Sequence, residues 1–174
     1  MIRPARRLFV LCAIAIAALG CGYTLVGRAS NIPETIRKVH LAPLENATSR
    51  AQVDQILTRA LADELVTRRR FELTSTATDA DAELRGTVVA FAVNPVSFDA
   101  DGRATEYEIV VNARMSFRQL DPEAILWQND RYQFRDSYEL EASELGYFDR
   151  ETPAIEATAK RFAETMVTDL LEGF

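Results

Sequence analysis

Apolar residues recur along this chain with two different periods. Val53, Ile56, Leu57, Ala60, Leu61 and Leu65 return every three or four positions, with Asp54, Arg59 and Asp63 largely between them; that spacing predicts an amphipathic helix. Further on, Tyr107, Ile109, Val111, Ala113, Met115 and Phe117 alternate with Glu106, Glu108, Val110, Asn112, Arg114, Ser116 and Arg118. Period two over that length predicts a strand with one buried and one wet face. A third stripe, Ile155, Ala159, Phe162, Ala163, Met166, Val167, Leu170 and Leu171, predicts a second helix, stopped by Gly173.

Between these landmarks the pattern fills in. Residues 39–44 read as a first strand and 45–48 as a loop. Ser49 reads as the N-cap of the first helix, with Gln52 reaching back as in a capping box. Arg68, Arg69 and Arg70 close that helix, where cations suit the negative end of its dipole; the triplet is also a candidate anion contact. Residues 71–74 form a short strand, 76–81 a polar turn, 84–96 a long strand and 125–138 another, carrying Trp127, Tyr132 and Phe134. Turns at 99–102 and 121–123 join the three long strands into an antiparallel meander. Residues 139–151 read as an acidic loop, and Thr152 caps the last helix with Pro153 at its first position. The sum is an α+β fold: a two-layer sandwich, mainly antiparallel sheet with two amphipathic helices on one face.

The N-terminus changes the picture. Arg3, Arg6 and Arg7 precede an uncharged apolar run over residues 8–19, then Gly20 and Cys21. A run of twelve is short of the roughly 20 residues a spanning helix needs. The layout is that of a signal peptide over residues 1–20, and Cys21 directly after the small residue resembles a bacterial lipoprotein signal. In that reading Cys21 carries lipid and 21–34 is a lipidated N-terminus and tether. Plain secretion is the alternative, and Arg6-Arg7 leaves the general secretory and twin-arginine routes both open. Cys12 lies within the run and is discarded with it, so the mature chain has no disulfide. One acyl chain binds a membrane marginally; several on one residue hold it.

Composition narrows the chemistry. The chain has 20 Lys and Arg against 26 Asp and Glu, a net charge of −6. Loss of the three signal arginines makes the balance −9. An acidic domain argues against nucleic acid as a partner. The 154 residues from Cys21 on suit one domain with a real core. The one histidine, His40, stands in a strand, where a structural role is the commoner one. Asp99, Asp101 and Gly102 lack the downstream glutamate of a calcium loop. No glycine-rich phosphate loop, nucleophile elbow or metal-ligand spacing is present, so the expectation is no enzyme, no metal and no cofactor beyond the covalent lipid on Cys21.

An ordered set of segments resembles the LPS-assembly lipoproteins of the LptE family. The mature start Cys21-Gly22-Tyr23-Thr24-Leu25 with Gly27 is similar to that family's opening. So are Ile32-Pro33, the first strand, residues 45–50, and Ala80-Asp81-Ala82-Glu83-Leu84-Arg85-Gly86-Thr87-Val88. Leu126-Trp127, residues 147–150 and residues 171–174 agree in character. The resemblance spans the mature chain, with 35–174 as the LptE-like α+β domain. It implies a non-enzymatic outer-membrane lipoprotein, anchored by lipid and periplasm-facing or within a barrel lumen. It implies partnership with the LptD β-barrel, as plug and assembly factor, in lipopolysaccharide transport and insertion into the outer leaflet. Gly22 after Cys21 fits sorting to the outer membrane. The alternative is another envelope lipoprotein serving as a secretion or periplasmic scaffold component. The polar sheet face supplies the candidate contacts with lipopolysaccharide or barrel: Arg114 and Arg118 on one strand, Arg131 and Arg135 on the next. The competing reading pairs them with Glu106, Glu108 and neighbouring carboxylates across strands.

Overall fold

In the computed structural model the described residues are 32–139 and 147–173. The expected signal peptide, Cys21 and the expected tether up to residue 31 lie outside them, as do 140–146. The elements run β1 (Lys38–Leu41), β2 (Glu45–Asn46), α1 (Val53–Arg68), β3 (Glu72–Thr74), a 3₁₀ turn (Ala77–Asp79), β4 (Ala82–Phe98), β5 (Ala104–Gln119), β6 (Ala124–Glu139) and α2 (Tyr147–Glu172).

The sheet is mixed. Its order is β3-β1-β4-β5-β6, with β2 beside β4. β4, β5 and β6 form the expected antiparallel meander. β1 runs parallel to both β3 and β4, and β2 parallel to β4. Most of the pairing is antiparallel, as expected; what the expectation lacks are the short parallel pairs of β1, β2 and β3. The reason is topological: α1 carries the chain from β1 to β3, and a crossover of that length brings strands back parallel. β2, expected as loop, is two residues long and too short to leave a periodic signal.

The alternation of β5 is realised in burial. Ile109, Val111, Ala113, Met115 and Phe117 are at most 1% exposed. Val53, Leu57, Leu61 and Leu65 of α1 and Phe162, Met166 and Leu170 of α2 are equally buried, and all belong to one cluster with the β5 row. Each such aliphatic or aromatic side chain contributes about 1.5–3 kcal/mol by leaving water. Tyr132 and Phe134 of β6 meet Phe162 edge to face, ring centroids 5.7 and 5.8 Å apart. Ile32 and Ile36 join the same core.

Both helix starts differ from expectation. Ser49 does not cap α1; the residue before the helix is Gln52, in the left-handed region at φ 64° and without a side-chain cap bond. Asn46 and Thr48 have already organised the approach. Asn46 Oδ1 accepts the Thr48 N–H at 2.9 Å, its amide donates to the Arg50 carbonyl at 2.8 Å, and Thr48 Oγ1 accepts the Arg50 N–H at 3.1 Å. These side-chain turns hold residues 46–50 in a turn, and the helix begins only after Gln52. α2 begins at Tyr147, so Pro153 lies inside it and not at its first position. Its end agrees with expectation: Gly173, at φ 79°, donates to the Asp169 carbonyl at 2.9 Å.

Candidate functional site

The face of the meander opposite the core row is mainly polar, since period two sends the apolar row of β5 to the core. In register across β4 and β5, Glu83 faces Arg118, Arg85 faces Ser116, and Thr87 faces Arg114. Across β5 and β6, Asn112 faces Gln133 and Arg118 faces Ile125. A groove of about 480 Å³ runs over this face, bordered by Arg85, Arg114 and Arg118, with Ile125, Glu45 and Asp130 at its sides. Ile125 is an exposed apolar side chain, 62% accessible, standing among these charges.

The four predicted arginines share this face but differ in state. Arg114 is exposed and has no ion pair or hydrogen-bond partner among the described residues. The reason is a register shift. Ala113 pairs with Tyr132 and Met115 with Asn129, so Arg114 lies opposite the extra residue at Asp130–Arg131 instead of one fixed partner. Arg131 is exposed likewise; its backbone N–H is donated to Asn129 Oδ1 at 3.0 Å, while its guanidinium has no described partner. Arg118 is paired with Glu123. Arg135 reaches Glu108 at 3.5 Å across the strands and donates to Gln133 Oε1 at 3.3 Å. Cross-strand pairing therefore holds for Arg135 with Glu108. Glu106 accepts instead from Ser97 Oγ at 3.0 Å.

Arg85 belongs to the same face and was not singled out. Its position after the buried Leu84 of an alternating strand is the signal that carried it. It donates to Glu83 Oε2 at 2.9 and 2.5 Å, and Glu83, 8% exposed, is one of two buried polar residues among the described residues. His40 Nδ1 lies 3.2 Å from the Thr74 carbonyl oxygen, joining β1 to β3. Asp99 Oδ1 accepts the N–H groups of Asp101 and Arg103 at 2.9 and 2.8 Å, so the β4–β5 hairpin loop accounts for that aspartate. Cys21, the predicted lipid site, lies outside the described residues.

What the face and fold define is an α+β domain with a helix layer on a mixed sheet and an arginine-bearing polar surface. No helix among the described residues is long and apolar enough to cross a membrane. The profile of the LptE family, lipopolysaccharide-assembly, matches residues 36–170, and the chain belongs to that family. It is thereby a member of a family concerned with lipopolysaccharide assembly. No curated protein matches it by sequence. Among solved structures it is similar to a hypothetical protein of Chlamydia trachomatis, CT253, at 10% identity and TM-score 0.53, over 80% of this chain and 97% of that one. It is similar also to an uncharacterized lipoprotein B of Nitrosomonas europaea, at 18% identity and TM-score 0.50, over 86% and 90%. A third is a minor lipoprotein of Acinetobacter baumannii, at 9% identity and TM-score 0.50, over 80% and 95%. Identities this low bear on the fold alone.

Proposed function

We propose that this chain is an outer-membrane lipoprotein, anchored through Cys21, that partners an LptD-like β-barrel as plug and assembly factor in lipopolysaccharide transport, without catalysing a reaction. The family match over residues 36–170 carries the reading. The sheet face supports it. Arg114 and Arg131 are exposed cations whose guanidinium groups have no partner among the described residues, on an otherwise acidic chain. A guanidinium binds a phosphate or carboxylate through two parallel N–H donors. Free ones are the groups available to lipid A phosphates or to carboxylates of a barrel wall. Affinity purification of the full-length protein from its own outer membrane, with mass spectrometry of what co-elutes, tests it. The expected result is a stoichiometric large β-barrel. Recovery of the protein alone, or with unrelated periplasmic proteins, would leave a family fold without this role.

A further inference from the structure

The basic triplet that ends α1 divides in the structure. Arg68 binds Glu64 Oε1 at 2.5 Å and donates to Thr168 Oγ1 at 2.8 Å, joining the two helices. Arg70 lies over the Phe71 ring, 5.0 Å from its centroid, and donates to the Ile36 carbonyl at 3.0 Å. Arg69 is exposed with no side-chain partner among the described residues, and so is Arg37 of the segment before β1. These two border one open groove of about 890 Å³, floored by Phe71 and Leu73 and flanked by Val66, which is 59% exposed. Glu34 and Glu72 share the rim, and neither is ion-paired to these arginines.

The groove is also where the described chain begins, since Ile32 lines it. Cys21 is eleven residues upstream, and that length of chain reaches roughly 40 Å at most. We propose that this end of the domain docks on a phospholipid bilayer. Arg37 and Arg69 take headgroup phosphates, Glu34 and Glu72 take the ammonium of ethanolamine headgroups, and Val66 enters the headgroup–acyl boundary. The rim is nearly balanced in charge, which suits a zwitterionic surface better than a strongly anionic one. This placement rests on the lipid anchor at Cys21 and describes the lipoprotein before it enters the barrel, with the polar face of the sheet still free.

The test uses the full-length lipoprotein purified from bacterial membranes and placed in nanodiscs of phosphatidylethanolamine and phosphatidylcholine. A nitroxide is attached at Val66→Cys or, as control, at Ile125→Cys on the sheet face. Collision with oxygen against a water-soluble nickel complex reads depth. The Val66 label should be shielded from nickel and reached by oxygen, while the Ile125 label stays in water. The double variant Arg37→Glu/Arg69→Glu should abolish that shielding, and so should the neutral pair Arg37→Gln/Arg69→Gln, which sets no like charge beside Asp81 and keeps the fold. Equal nickel access at both labels overturns the docking, and so does shielding that survives the double reversal. Deeper shielding in phosphatidylglycerol discs overturns the zwitterionic assignment. Failure to float with the discs overturns the anchor and the docking together. Loss of barrel co-purification bears on the proposed function and on neither of these.

Discussion

The carboxylate of Asp81 accepts the backbone N–H groups of Arg37 and Lys38 at 2.9 and 2.8 Å. Its own N–H is donated to the Lys38 carbonyl at 2.8 Å, and its carbonyl accepts from Leu120 at 2.9 Å. One residue thus ties the entry of β1 to the start of β4 and the end of β5. The Lys38 and Arg37 N–H groups hold its pKa below the ordinary 3.8. A folded-state pKa below the unfolded one contributes stability above the unfolded value, lost as pH falls through the folded value. Asp81→Asn should therefore be less stable than the parent at neutral pH. The gap should close as pH drops below about 4, read by thermal melts across that range; a gap constant with pH would show that the charge contributes nothing. Five residues on, Gly86 meets a different demand. A Cβ there would stand 2.3 Å from Met115 Sδ and 2.8 Å from the Arg114 carbonyl oxygen. The thioether can swing away; the backbone oxygen of a paired strand cannot. Gly86→Ala should cost about 1–3 kcal/mol by overpacking, and denaturant unfolding measures it. Both residues stand in the 80–88 segment that carries part of the family resemblance. Their reasons lie in partners more than 25 residues away, which no local spacing reveals.

At the scale of elements, legibility follows range. The α1 stripe and the β5 alternation are local patterns repeated over many positions, and burial reproduces both, with Ile56, Ala60 and Tyr107 half-buried at their edges. What the pattern misses are features set by a neighbour. β2 exists because β4 is there to pair with it, and the short parallel pairs exist because α1 crosses over. Register shifts after Val88 in β4 and at two places between β5 and β6 are invisible to periodicity. The start of α1 is the instructive error. Ser49 and Gln52 have the right types and spacing for a capping box, but Asn46 and Thr48 hold the chain in a turn up to Arg50, and the helix starts only after Gln52, at φ 64°. A non-glycine residue in that region carries a penalty of about 1–2 kcal/mol. Gln52→Gly should recover part of it, raising stability by up to about 1 kcal/mol after the added freedom of the unfolded chain is subtracted. A lowered melting temperature would show that Gln52 makes a compensating contact.

For the whole molecule, the question is which arginines hold the fold and which are left for something outside it. Alternation placed Arg114, Arg118, Arg131 and Arg135 on one face, and that much was legible. Their division into paired and unpaired depends on the bulge opposite Arg114, on Glu123 beside Arg118 and on Glu108 diagonal to Arg135, which only the assembled sheet defines. The division makes a prediction with two arms. Reversing the unpaired residues, Arg114→Glu with Arg131→Glu, removes no internal contact, so stability should stay within about 0.5 kcal/mol of the parent. Reversing the paired ones, Arg118→Glu with Arg135→Glu, sets like charges against Glu123 and Glu108 and should cost about 0.5–1 kcal/mol for each exposed pair. Recovery of the barrel in affinity purification should fall with the first variant although its fold is intact. If it falls only with the second, in proportion to lost stability, the face acts through the integrity of the sheet. If it falls with neither, the contact lies elsewhere, and the unpaired arginines are solvated charges on an acidic domain.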